Sequence, residues 1–195
     1  ALDLCEASLR YYRAAGDHAR IARAAAHAAT ISLDVTPLDT TDAYLAEAQA
    51  AYDHLEDEPW AQQASRHLRL LPGVIAKNRG DVVLAETLLA DLVASQEQSV
   101  ADSGGSQAIA CWPLFVWGAA AHLAGHLPLA FARYQSSLSA AWQHQEARCV
   151  AMSVTRVASI LAATGRWREA AWVLGATAAY SDLIGLDFTR DTWSL

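Results

Sequence analysis

Apolar residues recur at three- and four-residue intervals along most of the chain, and no stretch sustains a period of two, so the pattern predicts helices and no strands. Residues 1–15 set Leu2, Cys5, Leu9 and Tyr12 on one face and stop at Gly16-Asp17, where glycine suits a left-handed terminus and aspartate caps the next helix. A second helix, dense in alanine, is expected over residues 18–33 with Ile21, Ala25, Ala28 and Ala29 inward. Pro37, with Asp34, Asp39, Thr40 and Thr41 around it, reads as a polar connection. The third helix is expected over residues 42–55, and a fourth opens at Glu58-Pro59. Pro72 inside the fourth removes a hydrogen bond and clashes one turn back, which predicts a kink or a break near Leu68. A fifth helix follows Gly80-Asp81 and reaches about Ser95, and the serine- and glycine-rich residues 99–106 read as a flexible loop that proteases should cut first. Two helices flank Gly125 and run to Gln143, an eighth covers residues 147–164 and a ninth 168–183, leaving residues 186–195 as a tail.

Superimposed on these nine helices is a ruler. Gly73, Gly80 and Ala85 return as Gly118, Gly125 and Ala130, and again as Ala158, Gly165 and Ala170, with steps of seven and then five residues each time. A fixed period within roughly 20–50 residues marks a stacked repeat, in which each helix pair buries its apolar face only against its neighbours. The expectation is therefore one all-α domain over residues 1–195, a solenoid of antiparallel helix pairs.

Composition changes this picture little. The chain is 53% hydrophobic but 8% aromatic, which favours closely packed helices over a sheet sandwich. Its net charge of -7 offers no footprint for a phosphate backbone, so direct nucleic-acid binding is not expected. No apolar run reaches the roughly 18–20 residues needed to span a bilayer, so no membrane role is expected either. Cys5, Cys111 and Cys149, odd in number and in apolar surroundings, read as buried thiols of a reducing cytoplasm. The chain opens directly in helical pattern at Ala1-Leu2-Asp3-Leu4 and looks excised from something longer.

At the glycine and alanine marks the chain resembles the tetratricopeptide repeat (TPR), with Trp117-Gly118 and the run from Gly125 through Ala130 to Tyr134 matching best. The resemblance implies a right-handed solenoid, here with long repeats of about 40 residues against the common 34 or so. The run from Leu9 to Ala22 and the run from Gly165 to Ala179 are similar to repeats of the helical sensor region in large bacterial transcriptional regulators of the LuxR/MalT-like or AfsR-like group. That likeness implies a cytoplasmic sensing or coupling segment, working beside other domains of a parent chain. Neither a Gly-x4-Gly-Lys-Ser/Thr phosphate loop nor a basic helix-turn-helix occurs within these residues.

Candidate chemistry is thin. His122 and His126 stand four apart, a metal-ligand spacing, but Leu123 occupies the place of the glutamate that a catalytic zinc helix needs, and His126 falls in the turn beyond Gly125. No metal, cofactor or catalytic residue is assigned, and the chain reads as non-enzymatic. Trp117, Trp142, Trp167 and Trp172 are assigned to packing. Counting from the repeat marks, the first helix of each pair points residues six and three before the mark, and one and four after it, toward a concave groove. The middle pair contributes Trp112, Phe115, Ala119 and His122, and the next contributes Met152, Thr155, Ser159 and Ala162. His67, Leu70, Val74 and Lys77 precede them, and Arg23, Ala26, Thr30 and Leu33 extend the wall. Such a lining suits a protein segment or a polar small-molecule inducer. The alternatives are a groove filled by its own helices, and a structural adaptor or self-association domain that forms homo-oligomers and binds no small molecule.

Overall fold

The computed structural model describes residues 1–55, 61–102 and 111–185. Among the described residues there are nine helices and no strand: α1 (Leu2–Ala15), α2 (His18–Val35), α3 (Leu38–Asp53), α4 (Ala61–Asn78), α5 (Val82–Asp102), α6 (Cys111–Leu123), α7 (Leu127–Gln143), α8 (Ala147–Ala163) and α9 (Trp167–Ile184). They fall into two compact units, Ala1–Asp81 and Val82–Leu195. Within each unit every helix packs on the next in sequence, and one further contact joins alternate helices, α2 with α4 in the first and α6 with α8 in the second. Packed neighbours joined by connections as short as Gly16-Asp17 must run antiparallel. This is the packing of a helical repeat.

The expected stops hold where glycine carries them. Gly125 and Gly165 end α6 and α8 at φ 77° and 79°, a left-handed conformation that costs a residue with a Cβ about 1–2 kcal/mol. Gln145 adopts φ 58° in the equivalent turn between α7 and α8 without that freedom.

Four features differ from expectation. Helix α3 begins at Leu38, directly after Pro37, so Asp39, Thr40 and Thr41 belong to its first turn rather than to a connection. Thr41 is buried and shares a 2.8 Å hydrogen bond with Ser32 of α2, which satisfies both hydroxyls in the core. Helix α4 is continuous through Pro72, so of the expected kink or break the break does not occur, and the start expected at Glu58-Pro59 lies outside the described residues. Helix α5 runs on to Asp102, so residues 99–102 are helical; residues 103–106 of the expected loop and residues 186–195 of the expected tail lie outside the described residues.

In the first unit alanines let α2 and α3 approach closely: Ala25, Ala28, Ala29 and Ala48 are fully buried together with Leu9 of α1. Arg13 of α1 forks onto both carboxylate oxygens of Glu47 of α3 at 2.6 Å, and Arg79 at the end of α4 reaches Asp42 of α3. In the second unit the core turns on Gly118. A Cβ there would sit 2.8 Å from the ring of Tyr134 on α7, so the absent side chain is what admits the tyrosine between α6 and α7.

Candidate functional site

Within the second unit, α6 and α8 build one wall. On α6, Trp112 and His122 are half-buried and Ala119 lies between them, while Phe115, only 3% exposed, is sealed into the core behind. Phe115 meets Trp112 edge-on at 6.0 Å and lies tilted on Tyr134 at 5.7 Å. On α8, Thr155, Ser159 and Ala162 are half-buried and Met152 is buried. The hydroxyls of Thr155 and Ser159 donate back to the carbonyls of Ala151 and Thr155 at 2.9 and 3.2 Å, which leaves each oxygen able to accept.

Tyr134 of α7 packs beneath this wall, against Phe115 and His122 of α6. Tyr134 is 0% exposed and its ring meets His122 edge-on at 6.3 Å, and its hydroxyl has no hydrogen-bond partner among the described residues. Burial pushes the phenol well above its usual range, while the cation of Arg156 acts in the opposite sense. Burial and Arg156 together hold His122 below the usual imidazole range, so it is neutral at pH 7. Arg148, whose guanidinium lies 6.0 Å from the Trp112 ring centre, and Arg156 extend the wall along α8. The groove register omits Tyr134 because it stands on the second helix of its pair. It omits the two arginines because they follow Met152 at four-residue steps rather than the repeat marks. That four-residue row, 148, 152 and 156, is the signal that finds them.

The remaining groove candidates stand in the first unit. Arg23 is exposed, Thr30 is half-buried with its hydroxyl on the carbonyl of Ala26 at 2.9 Å, Leu70 and Val74 are buried, and Lys77 is half-buried. The side chain of His67 lies outside the described residues. Of the candidates, then, Trp112, His122, Thr155 and Ser159 share the α6–α8 wall, with Phe115 and Met152 beneath it.

The tryptophans require a correction. Trp142, Trp167 and Trp172 are 68%, 67% and 77% exposed, so they do not pack as wedges. Trp172 lies two residues beyond the buried Ala170, about 200° around α9, and Trp142 follows the last buried residue of α7, Ala141. Trp117 is half-buried beneath the guanidinium of Arg133, 3.6 Å from its ring centre. His126 precedes α7 and is paired with Glu86 at 3.2 Å.

Behind the wall Ser137 ties three helices together. Its hydroxyl donates to the Cys111 carbonyl at 2.9 Å and lies 3.1 Å from the Ser153 hydroxyl and 3.4 Å from the Cys149 sulfur. The bond to Cys149 and burial push the Cys111 thiol far above its usual range, so it stays protonated. All three cysteines are free.

A concavity of about 590 Å³ lies between α7 and α8, with Gln135, Ser139 and Gln143 along one side. No group of three or more His, Cys, Asp or Glu side chains is placed to hold a metal ion among the described residues, and none of their helices is long and apolar enough to cross a membrane. No protein-family model, curated protein or solved structure matches this chain.

Proposed function

We propose that this chain is a non-enzymatic recognition module, a TPR-like right-handed solenoid serving as the sensor or coupling segment of a bacterial transcriptional regulator in the cytoplasm. Its ligand, a protein segment or a small-molecule inducer, lies on the α6–α8 wall. The observation that carries this reading is the Tyr134 hydroxyl, fully buried on a ring that packs edge-on to His122 and without a partner among the described residues. Leaving such a group unbonded costs about 1–3 kcal/mol, so a ligand that displaces the half-buried His122 side chain from the tyrosine ring gains a partner there. Trp112 of the same helix as His122 supplies an apolar face, and Thr155 and Ser159 of α8 supply acceptors. Binding shifts the parent protein only through unequal affinity for its arrangements.

The test is a thermal-shift screen of peptides and sugars on the wild-type chain and on Trp112→Ala. A ligand raises the melting temperature of the wild type, and the variant folds and loses the response. A variant that fails to fold makes Trp112 a core residue and removes the wall.

A second reading, an adaptor or self-association domain, is favoured by the exposed apolar side chains of α9: Trp167, Trp172 and Leu183. Light scattering over a concentration series decides it, since a concentration-independent monomer excludes self-association through this face.

A further inference from the structure

The trough between α7 and α8 is distinct from the wall just described. Val150 and Val154, its residues on α8, lie about 160–200° around that helix from Met152 at about 100° per residue, so trough and wall open on opposite sides of α8. We infer that this trough is a second binding site, for an extended, uncharged peptide segment with apolar side chains at alternate positions.

Three observations lead there. The first is periodicity. Gln135, Ser139 and Gln143 form a polar row down α7, Leu138 and Trp142 an apolar row beside it, and Val150 and Val154 the facing wall, every row stepping by four residues. Four residues of helix advance about 6 Å. Two residues of extended chain advance about 6.6 Å. Over the roughly 12 Å from Gln135 to Gln143 the two periods drift apart by only about 1 Å. A strand laid in the trough therefore meets an amide or hydroxyl at every second peptide unit, and the side chains between fall on the apolar row. Main-chain bonds with pockets for alternate side chains are how extended peptides are held by other surfaces.

The second observation is charge. The chain carries a net charge of -7, yet among the described residues none that lines the trough is ionisable. A charged segment would lose hydration there and meet no counter-charge, whereas a neutral one meets donors and acceptors of its own kind. The third is Trp142, 68% exposed at one end of the trough beside the buried Ala141. A large aromatic held in solvent on a rigid helix offers an apolar platform with little conformational entropy to lose.

The probe is an eight-residue fluorescein-labelled peptide alternating leucine with serine, titrated against the intact chain by fluorescence polarisation. Saturable binding is expected, weakened about tenfold or more by Trp142→Ala and by replacing the peptide's serines with glutamates, as for loss of a central anchor. Gln135→Ala weakens it less, and Trp112→Ala, on the opposite side of α8, leaves it within about twofold. Trp142 is exposed, so its variant folds as the wild type does. No saturation by about 1 mM, or a Trp142→Ala variant that binds as well as the wild type, overturns the inference. Equal binding of a peptide with the same residues in two blocks, four leucines then four serines, overturns the register argument. Loss of binding in Trp112→Ala with retention in Trp142→Ala moves the peptide to the other wall and overturns it as well.

Discussion

Tyr134 on α7 and Leu174 on α9 stand at the same place in the repeat, forty residues apart, yet one is 0% and the other 45% exposed. Their surroundings explain the contrast. Helix α7 packs on both α6 and α8, whereas α9, among the described residues, packs on α8 alone. The helix facing each differs as well: Gly118 opens a hollow for the Tyr134 ring, and its counterpart on α8 is Ala158. Ser137 bonds across three helices, while its counterpart Thr177 spends its hydroxyl on the carbonyl of Val173 in its own helix. A repeat pattern therefore sets which way a residue points, and the neighbouring helices decide how far it is buried.

The contrast can be broken most forcefully at its centre. Tyr134→Ala should cost about 3–5 kcal/mol in urea unfolding, as a large ring leaves a sealed core, whereas Leu174→Ala should cost under about 1 kcal/mol. Equal losses would mean that α9 is covered. Next comes Gly118→Ala, whose Cβ meets a rigid ring at 2.8 Å. Its overpacking penalty of about 1–3 kcal/mol outweighs the roughly 1 kcal/mol that alanine gains in a helix. Ser137→Ala follows at about 1–2 kcal/mol by chemical denaturation, because it removes the buried hydroxyl bonds that tie α7 to α6 and α8, while Thr177→Ala changes little.

A smaller effect sharpens the comparison through pH. His122 has Ala162 as its counterpart on α8, so only the first pair carries this titration. With the folded pKa held below 6.5, the unfolded chain takes the proton first. The stability linked to His122 is complete above pH 6.5 and is lost as pH falls through the folded value. His122→Gln should flatten that part of the profile in unfolding curves taken between pH 7 and 5. Smallest of all, Trp142→Ala and Trp172→Ala should each stay within about 0.5 kcal/mol of wild type, since both rings are exposed.

These differences also mark what a reader of the sequence can reach. Helix order and the turns at Gly125 and Gly165 are legible because glycine punctuation and the 3.6-residue period are local properties. Thr41 misleads because a threonine near a proline looks like a connection until Ser32 of another helix is there to bond it. The depth of the wall was equally closed to inspection: Phe115 and Met152, expected in the groove lining, are buried instead, Phe115 against Tyr134 of the next helix. The exposed Trp172 was within reach. Measured from Ala170, its angle around α9 places it on the outer face, and only the habit of treating tryptophan as core obscures this.

The Tyr134 hydroxyl gives the most direct test of the central claim, that the α6–α8 wall is a recognition surface completed from outside. Tyr134→Phe keeps the ring and removes the unpartnered hydroxyl, so the stability of the free chain in urea should be unchanged or higher by about 1 kcal/mol. The thermal shift produced by any peptide or sugar that stabilises the wild type should shrink or vanish. A variant destabilised by more than about 1 kcal/mol that keeps its full ligand-induced shift would contradict the account, because the hydroxyl would then belong to the fold and not to the site.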